Sequence, residues 1–334
     1  MDQEKTKELY GLSVLVITFN SEETIIPLLD SIYKYLADNV DEVLIIDNNS
    51  ADRTCQLLES YGKVKLIKNS ENVGFRKALN RGLLLARNNL VLVLNPDARL
   101  GDGLLVNCCR AMINEPNAAY CFPRLIGSGN YEYEYFNDEA IPFLIQYPPY
   151  RRKKMPNRCV EAEVAGGAVF IIKKEAALKV GGYDEGVFMY YEEYEISLKL
   201  RNAGYKILFC PTAVCYHEGA HSIKKSHRDL AERLLFVYSE MFFSAIYLFY
   251  KYCKMQNKGL KHYIWHFLLI LTAIEISFYY KNSMPLRGYF VAIKKSKSIK
   301  NSSTGISLKC KWDILKYLKY NLITIERAIR GMHY

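Results

Sequence analysis

The sequence predicts an α/β fold: a mostly parallel central sheet, followed by a helical C-terminal region. Two observations carry this. Short runs of Val, Leu and Ile alternate with stretches of helical periodicity through the first hundred residues. Several of those runs end in a polar turn that sets Asn or Asp just beyond a strand.

The elements follow in order. Residues 1–10 are a polar lead-in, and residues 12–19 read as the first strand. Asn20 or Ser21 offers a helix N-cap, with Glu22 and Glu23 in the first turn. Ile25, Leu28, Leu29, Ile32 and Leu36 then repeat at helical spacing, to about residue 37. Residues 43–46 form a second strand ending in Asp47-Asn48-Asn49-Ser50, and Ser50 can cap the helix holding Leu57 and Leu58. Residues 64–67 form a third strand, after which Asn72-Val73-Gly74-Phe75 turns into a helix to about Arg87. Residues 90–94 are too few for a comfortable helix and suit a strand covered on both faces. Asn95-Pro96 stops it, because proline cannot donate to a sheet ladder. Asp97 follows, and another helix begins after Asp102.

Strand–helix–strand crossovers make the sheet parallel, so Asn20, Asp47 and Asp97 belong on one edge. That carboxyl edge is where open α/β sheets bind ligands. An acid such as Asp97 can hold a hard cation there, and the cation can hold phosphates. The same acid can instead bond only its own turn.

Bulk composition narrows the classes. The 334 residues allow one large domain with an appendage, or two domains. The net charge of +10 resides in residues 281–334, where twelve Lys/Arg face two Asp/Glu. A neutral body with a basic tail points to an anionic surface. Nothing but the tail suggests nucleic acid, and none is expected. The nine cysteines are scattered without a CxxC, which argues against a disulfide framework or zinc site and fits a reducing cytosol. The first residues lack a basic region followed by a long apolar run, so no signal peptide is expected. No GxGxxG follows the first strand, which argues against a dinucleotide dehydrogenase.

The runs VITFNSEETI, IIDNNSAD, ENVGFRKALNRG and VLNPDARL together resemble the nucleotide-binding half of family 2 glycosyltransferases of the GT-A fold, rhamnosyltransferase-like members above all. A second block, VAGGAVFIIKKEAALKVGGYDEGVFMYYEEYEISLKL through CYHEGAHS, resembles the acceptor half. The resemblance implies a GT-A-type sandwich over residues 11–225, with a nucleotide-binding half at 11–100, an acceptor half at 101–225 and a basic helical region at 226–334.

It also implies a site. Asp47 would accept from a pyrimidine N–H, though capping the next helix is its other reading. Thr18, Asn20 and Glu22 would touch base or ribose, and capping explains Asn20 as well. Asn72 and Asn80 match positions near the nucleotide. Gly74 suits its turn, and Arg76 and Lys77 read better as a solvated helix face than as phosphate contacts. Asp97 is the expected ligand for Mn2+ or Mg2+. Asn95 stands where the family often has a first Asp, and His217 matches a position that completes the metal site in some members; His221 fits less well. Gly166-Gly167 would approach the sugar, and Asp184 and Glu192 would touch donor or acceptor. Glu192 and Glu195 also read as helix-start acids. The catalytic base falls on Glu193, where the family usually has Asp. The implied reaction is inverting transfer from a UDP- or dTDP-sugar, dTDP-rhamnose above others, to a glycan or lipid-linked acceptor. The rival readings are a nucleotidyltransferase, disfavoured by a first turn without glycine, and a non-catalytic nucleotide-sugar-binding protein.

The remaining stretches are less specific. Residues 127–159 fit no regular pattern, and basic residues 151–154 would suit a phosphate or plain solvent. Residues 234–250 and 264–280 are apolar runs interrupted by Glu240 and Glu275. Their length is at the floor for spanning a bilayer, so helices lying in or against the cytoplasmic membrane face, with the basic tail on anionic lipid, are expected ahead of two alternatives, spanning helices and soluble helical packing.

Overall fold

The structure, a computed structural model, describes residues 11–36, 40–101, 103–127, 156–217, 229–252, 260–279 and 281–297. The lead-in, most of the 127–159 stretch with its basic residues 151–154, His221 and the tail beyond 297 lie outside the described residues.

The described residues fall into two compact units. The first holds those through Glu185 together with 192–217; the second holds Gly186–Tyr191 and those from 229 onward. The first unit is a nine-stranded mixed sheet between two helical layers. Its strands are β1 (Leu12–Thr18), β2 (Glu42–Asp47), β3 (Lys65–Lys68), β4 (Leu90–Leu94), β5 (Ala98–Leu100), β6 (Ala118–Ile126), β7 (Val160–Glu161), β8 (Val169–Lys173) and β9 (Lys206–His217). Their order is β3-β2-β1-β4-β8-β6-β9-β5, with β7 also on β9. The pairings β3-β2-β1-β4 and β6-β9 are parallel; β8, β5 and β7 run against their neighbours.

Every residue of β1 and β4 is buried, as expected for strands covered on both faces. On one face Val14 and Val16 belong with Ile25, Leu28, Leu29 and Ile32 of α1 (Ile25–Leu36), Leu58 of α2 (Thr54–Tyr61), and Leu104 and Cys108 of α4 (Leu104–Asn114). On the other, Leu15 and Ile17 belong with Ala78, Leu79 and Leu83 of α3 (Phe75–Leu85), Ala176 of α5 (Lys174–Lys179), and Ile196 and Leu200 of α6 (Glu192–Asn202). Gly82 lets α3 lie directly on Leu15, where a Cβ would not fit.

Capping differs from expectation. Helix α2 starts after Arg53 without a side-chain cap, and Ser50 instead bonds Asp47 and Asn20. Helix α1 starts at Ile25, and the Asn20 side chain accepts from Ala51 N–H at 2.8 Å. Short polar side chains compete for nearby backbone donors, and here the adjacent turn supplies them. At the end of α5, Gly181 (φ 83°) and Gly182 (φ 61°) adopt left-handed backbone and donate to the Leu178 and Ala177 carbonyls.

The second unit contains α7 (Leu230–Tyr252), α8 (Leu260–Tyr279) and α9 (Met284–Ser296). Gly288 of α9 sits against Tyr238 of α7, where a Cβ would not fit. Ser244 of α7 donates to the Met189 carbonyl at 2.8 Å, which ties Gly186–Tyr191 into this unit. A sequence boundary near residue 225 leaves that excursion out. Among the described residues one helix, over Leu230–Lys251, is long and apolar enough to cross a membrane by length and composition, and most of it is buried inside the protein. Glu240, in the middle of that run, is paired with Lys295 at 2.6 Å.

The cysteines are less scattered in space than in sequence. Cys108, Cys121 and Cys159 all come within hydrogen-bonding reach of the Cys210 sulfur.

Candidate active site

Topology sets the edge. The carboxyl ends of β1, β2 and β4 point one way, and the antiparallel β8 begins where β4 ends, Leu94 opposite Val169. Strand β6 runs against β8 and β9 runs with β6, so β9 also ends on that side, at His217. Thr18, Asp47, the Asn95-Pro96-Asp97 turn, Gly167 and His217 therefore share one edge of one sheet.

On the β1–β2 side the protein satisfies its own polar groups. Asp47 is buried, and Thr18 Oγ1 (2.9 Å), Ser50 Oγ (2.5 Å) and Ser50 N–H (2.9 Å) donate to its carboxylate. Cys55 adds a fourth bond, and burial together with that carboxylate pushes its thiol up to about 11. Four donors match the roughly four lone-pair sites of a carboxylate. A base contact to Asp47 requires one of them to give way. Glu22 accepts from Arg53 N–H and Nε, each at 3.2 Å, and Asp52 accepts from Glu22 N–H at 3.1 Å. These bonds, with Asn20's, lace the first two strand-end turns together. Asn72 accepts from Gly74 N–H at 3.0 Å, and Gly74 carries φ 84°. Asn80 is occupied elsewhere: it exchanges bonds with the Tyr183 backbone, 2.8 Å each way, and donates to Glu185 at 3.0 Å. It clamps α3 to the GGYDE loop.

On the β4–β9 side, polar side chains converge. Asp97 Oδ1 lies 3.1 Å from His217 Nε2, and Asn95 Nδ2 lies 3.4 Å from the same nitrogen. Strand β5 brings this about, because Ala98 is registered opposite His217. Asn95 N–H donates to the Ala168 carbonyl at 2.8 Å, which joins the Asp97 turn to the residue after Gly167. At Gly167 a Cβ would sit 3.3–3.5 Å from the carboxyl atoms of Glu193. Glu193 thus lies against the glycine that adjoins the Asp97 turn.

Helix α6 is pinned to hold it there. Ser197 bonds the Glu193 carbonyl one turn back and accepts from Ala165 N–H at 2.9 Å. Glu195 is fully buried and takes Arg76 Nη1 at 3.3 Å, Asp184 N–H at 3.0 Å and Lys199 Nζ at 2.5 Å. Asp184 is held by its backbone, since its carbonyl accepts from Arg76 at 3.2 Å. Arg76 is fully buried, not on a solvated face. Its partner Glu195 is 119 residues away in sequence. One local signal points to this: Arg76, Leu79 and Leu83 fall on the same helical face.

Glu192 has its carboxyl pushed up to about 8, first by burial and next by the charge of Glu193; Arg76, 3.9 Å away, opposes this. A proton held on Glu192 relieves the conflict between two like charges at the start of one helix.

Residues 13–181, half of the chain, match the family description "Glycosyl transferase family 2". The chain belongs to that family. Among relatives of this glycosyltransferase, the N-acetylglucosaminyl-diphospho-decaprenol L-rhamnosyltransferase of Mycobacterium tuberculosis is 28% identical over 224 residues, covering 58% of this chain and 70% of the relative. The poly-beta-1,6-N-acetyl-D-glucosamine synthase of Staphylococcus aureus is 26% identical, covering 63% of this chain and 50% of the relative. The crystal structure of GalNAc-T7 with UDP, GalNAc and Mn2+ superposes with a TM-score of 0.54 at 20% identity, covering 65% of this chain and 46% of that one. The likeness identifies the fold as GT-A. The family match ends at residue 181, so Glu192, Glu193 and His217 lie beyond it.

The Asp97–His217 pair fits a divalent cation. Two ligands at right angles, each about 2.1 Å from an ion, are about 3 Å apart, close to the spacing found. The carboxylate oxygen suits Mn2+ or Mg2+ when phosphate oxygens and waters fill the other positions, and the imidazole nitrogen beside it is the softer of the two ligands. Among the described residues no group of three His, Cys, Asp or Glu forms a metal cage.

Proposed function

We propose that this protein is a metal-dependent inverting glycosyltransferase that moves a sugar from a UDP- or dTDP-sugar, dTDP-rhamnose above others, to a glycan or lipid-linked acceptor in cell-surface polysaccharide synthesis. One observation carries the reading: the Glu193 carboxylate lies against Gly167, beside the turn that bears the Asp97–His217 pair. The relatives named as a rhamnosyltransferase and as a poly-N-acetylglucosamine synthase support the substrate class.

In this mechanism Glu193 accepts the proton of the acceptor hydroxyl as its oxygen attacks the anomeric carbon. Attack from the face opposite the leaving nucleotide inverts the centre, and no covalent sugar–enzyme intermediate forms. Gly167 leaves room for the sugar beside the base. Asp97 and His217 would hold the cation, with Asn95 beside them, and it would supply Lewis-acid stabilisation to the departing diphosphate. Thr18, Asn20, Glu22, Asp47 and Asn72 shape the turns against which base and ribose rest.

Attachment is peripheral, at the inner face of the cell membrane. On α9, exposed Phe290 and Val291 stand beside exposed Arg287 and Lys294, an apolar face with basic flanks. Phe267 and Leu271 form a second exposed apolar pair on α8.

The test mixes purified protein with candidate donors, acceptors and Mn2+ and follows nucleotide release and product mass. Wild type should transfer from one donor class, and Asp97→Ala should lose transfer or need far more Mn2+. No release with any donor–acceptor pair, or full activity in both Asp97→Ala and Glu193→Ala, would overturn the proposal. Tight nucleotide-sugar binding without turnover would favour a binding protein instead.

A further inference from the structure

The thiol group on β9 has no part in the sugar-transfer reading. Strands β7 and β9 are antiparallel, with Val160 opposite Phe209 and Glu161 opposite Leu208. Continuing that register by one residue sets Cys159 opposite Cys210. Ala162 N–H donates to the Ile207 carbonyl at 2.8 Å, so the 162–207 pair is hydrogen-bonded. Alternation along the ladder then makes 159–210 a non-hydrogen-bonded pair, whose Cα atoms are typically about 4.5 Å apart. That spacing is within the range of about 4.4–6.8 Å that a disulfide bridges without backbone movement. The two sulfurs are 2.6 Å apart, and both cysteines are free thiols.

The pair is also asymmetric. Cys159 is partly exposed, whereas Cys210 is fully buried. Hydrogen bonds from Cys108, Cys121 and Cys159 draw the Cys210 thiol down, and Thr212 assists. Cys159 is held up by its bond to Cys210 and by burial. The Cys159 thiol donates to Cys210, so a Cys210 thiolate can take the Cys159 proton and pass it to a departing hydroxide as the partly exposed Cys159 sulfur becomes the nucleophile.

We propose that Cys159 and Cys210 are a hydroperoxide-sensitive thiol pair that closes to a reversible cross-strand disulfide. The Cys159 sulfur attacks hydrogen peroxide, the O–O bond breaks, and Cys159 becomes a sulfenic acid with loss of one water. The Cys210 thiolate then attacks the Cys159 sulfur; the S–S bond forms, the S–O bond breaks, and hydroxide leaves to take up the remaining proton as a second water. Two thiols and one peroxide thus give one disulfide and two waters. The bond joins the strand leading into Gly166-Gly167 to the strand ending at His217.

The test exposes the intact chain to hydrogen peroxide, alkylates remaining thiols and maps peptides without reduction. The expected result is a peptide pair linked through Cys159 and Cys210, with two fewer alkylated thiols, both restored by dithiothreitol. Cys210→Ser should instead accumulate a Cys159 sulfenic acid that dimedone captures. A link from Cys210 to Cys108 or Cys121 in the wild type, or oxidation of Cys159 with no link, would overturn the proposal. Because the mapping reads wild-type protein, it stands whether or not the serine variant folds.

Discussion

Two sets of acids in the sheet unit behave in opposite ways. Asp47 is surrounded by hydroxyl, amide and thiol donors, which compensate its burial. Glu192 and Glu193 stand side by side at the start of α6, with Arg76 no nearer to Glu192 than 3.9 Å. A carboxylate whose lone pairs are filled builds structure; one held beside another carboxylate stores a proton-transfer capacity. Among buried acids, chemistry is to be sought at the pair whose charges conflict.

The largest effect should come from Glu193→Gln, which keeps shape and removes the base. A drop in kcat of roughly 10²–10⁴ is expected, with thermal stability near wild type. Turnover at the wild-type rate would erase the contrast by making Glu193 another structural acid. Asp47→Ala should act the other way. It strands buried donors and should cost about 1–3 kcal/mol in urea unfolding. An Asp47→Ala protein as stable as wild type would show that its bonds hold nothing together.

The shift at Glu192 gives a pH signature. Its folded value is raised above the ordinary 4.5 to about 8. The native state therefore holds a proton that the unfolded chain gives up, so this group's contribution is full below 4.5 and lost as pH rises through about 8. Stability should decline across that window, and Glu192→Gln should flatten the decline. Equal slopes in urea titrations of both proteins would sink the assignment.

Smallest of all, Gly167→Ala places a methyl 3.3–3.5 Å from the Glu193 carboxyl atoms. The carboxylate must give by a few tenths of an ångström, and kcat should fall about tenfold or less, while nucleotide affinity holds. Weaker nucleotide binding with normal turnover would place Gly167 with the nucleotide side of the comparison.

Local pattern makes much of this molecule readable. The apolar runs of β1, β2 and β4 and the periodicity of α1 announce a sandwich, because burial on two faces leaves few polar positions. Asn95-Pro96-Asp97 announces a strand end, because proline and asparagine act on their own backbone. The caps are not readable this way. Ser50 accepts from Asn20 N–H and Asn20 from Ala51 N–H, partners about thirty residues away that only the packing of one turn on the other supplies.

The α/β class, the polar strand-end turns and the acids on them are therefore properties of the chain itself, since they depend on contacts within a few residues. Four pairings are not: Arg76 buried against Glu195, His217 beside Asp97, Glu193 on Gly167, and Cys159 facing Cys210. The members of each pair are far apart along the chain. Their meeting depends on sheet order and register, and these minimise the free energy of the whole core rather than of any segment.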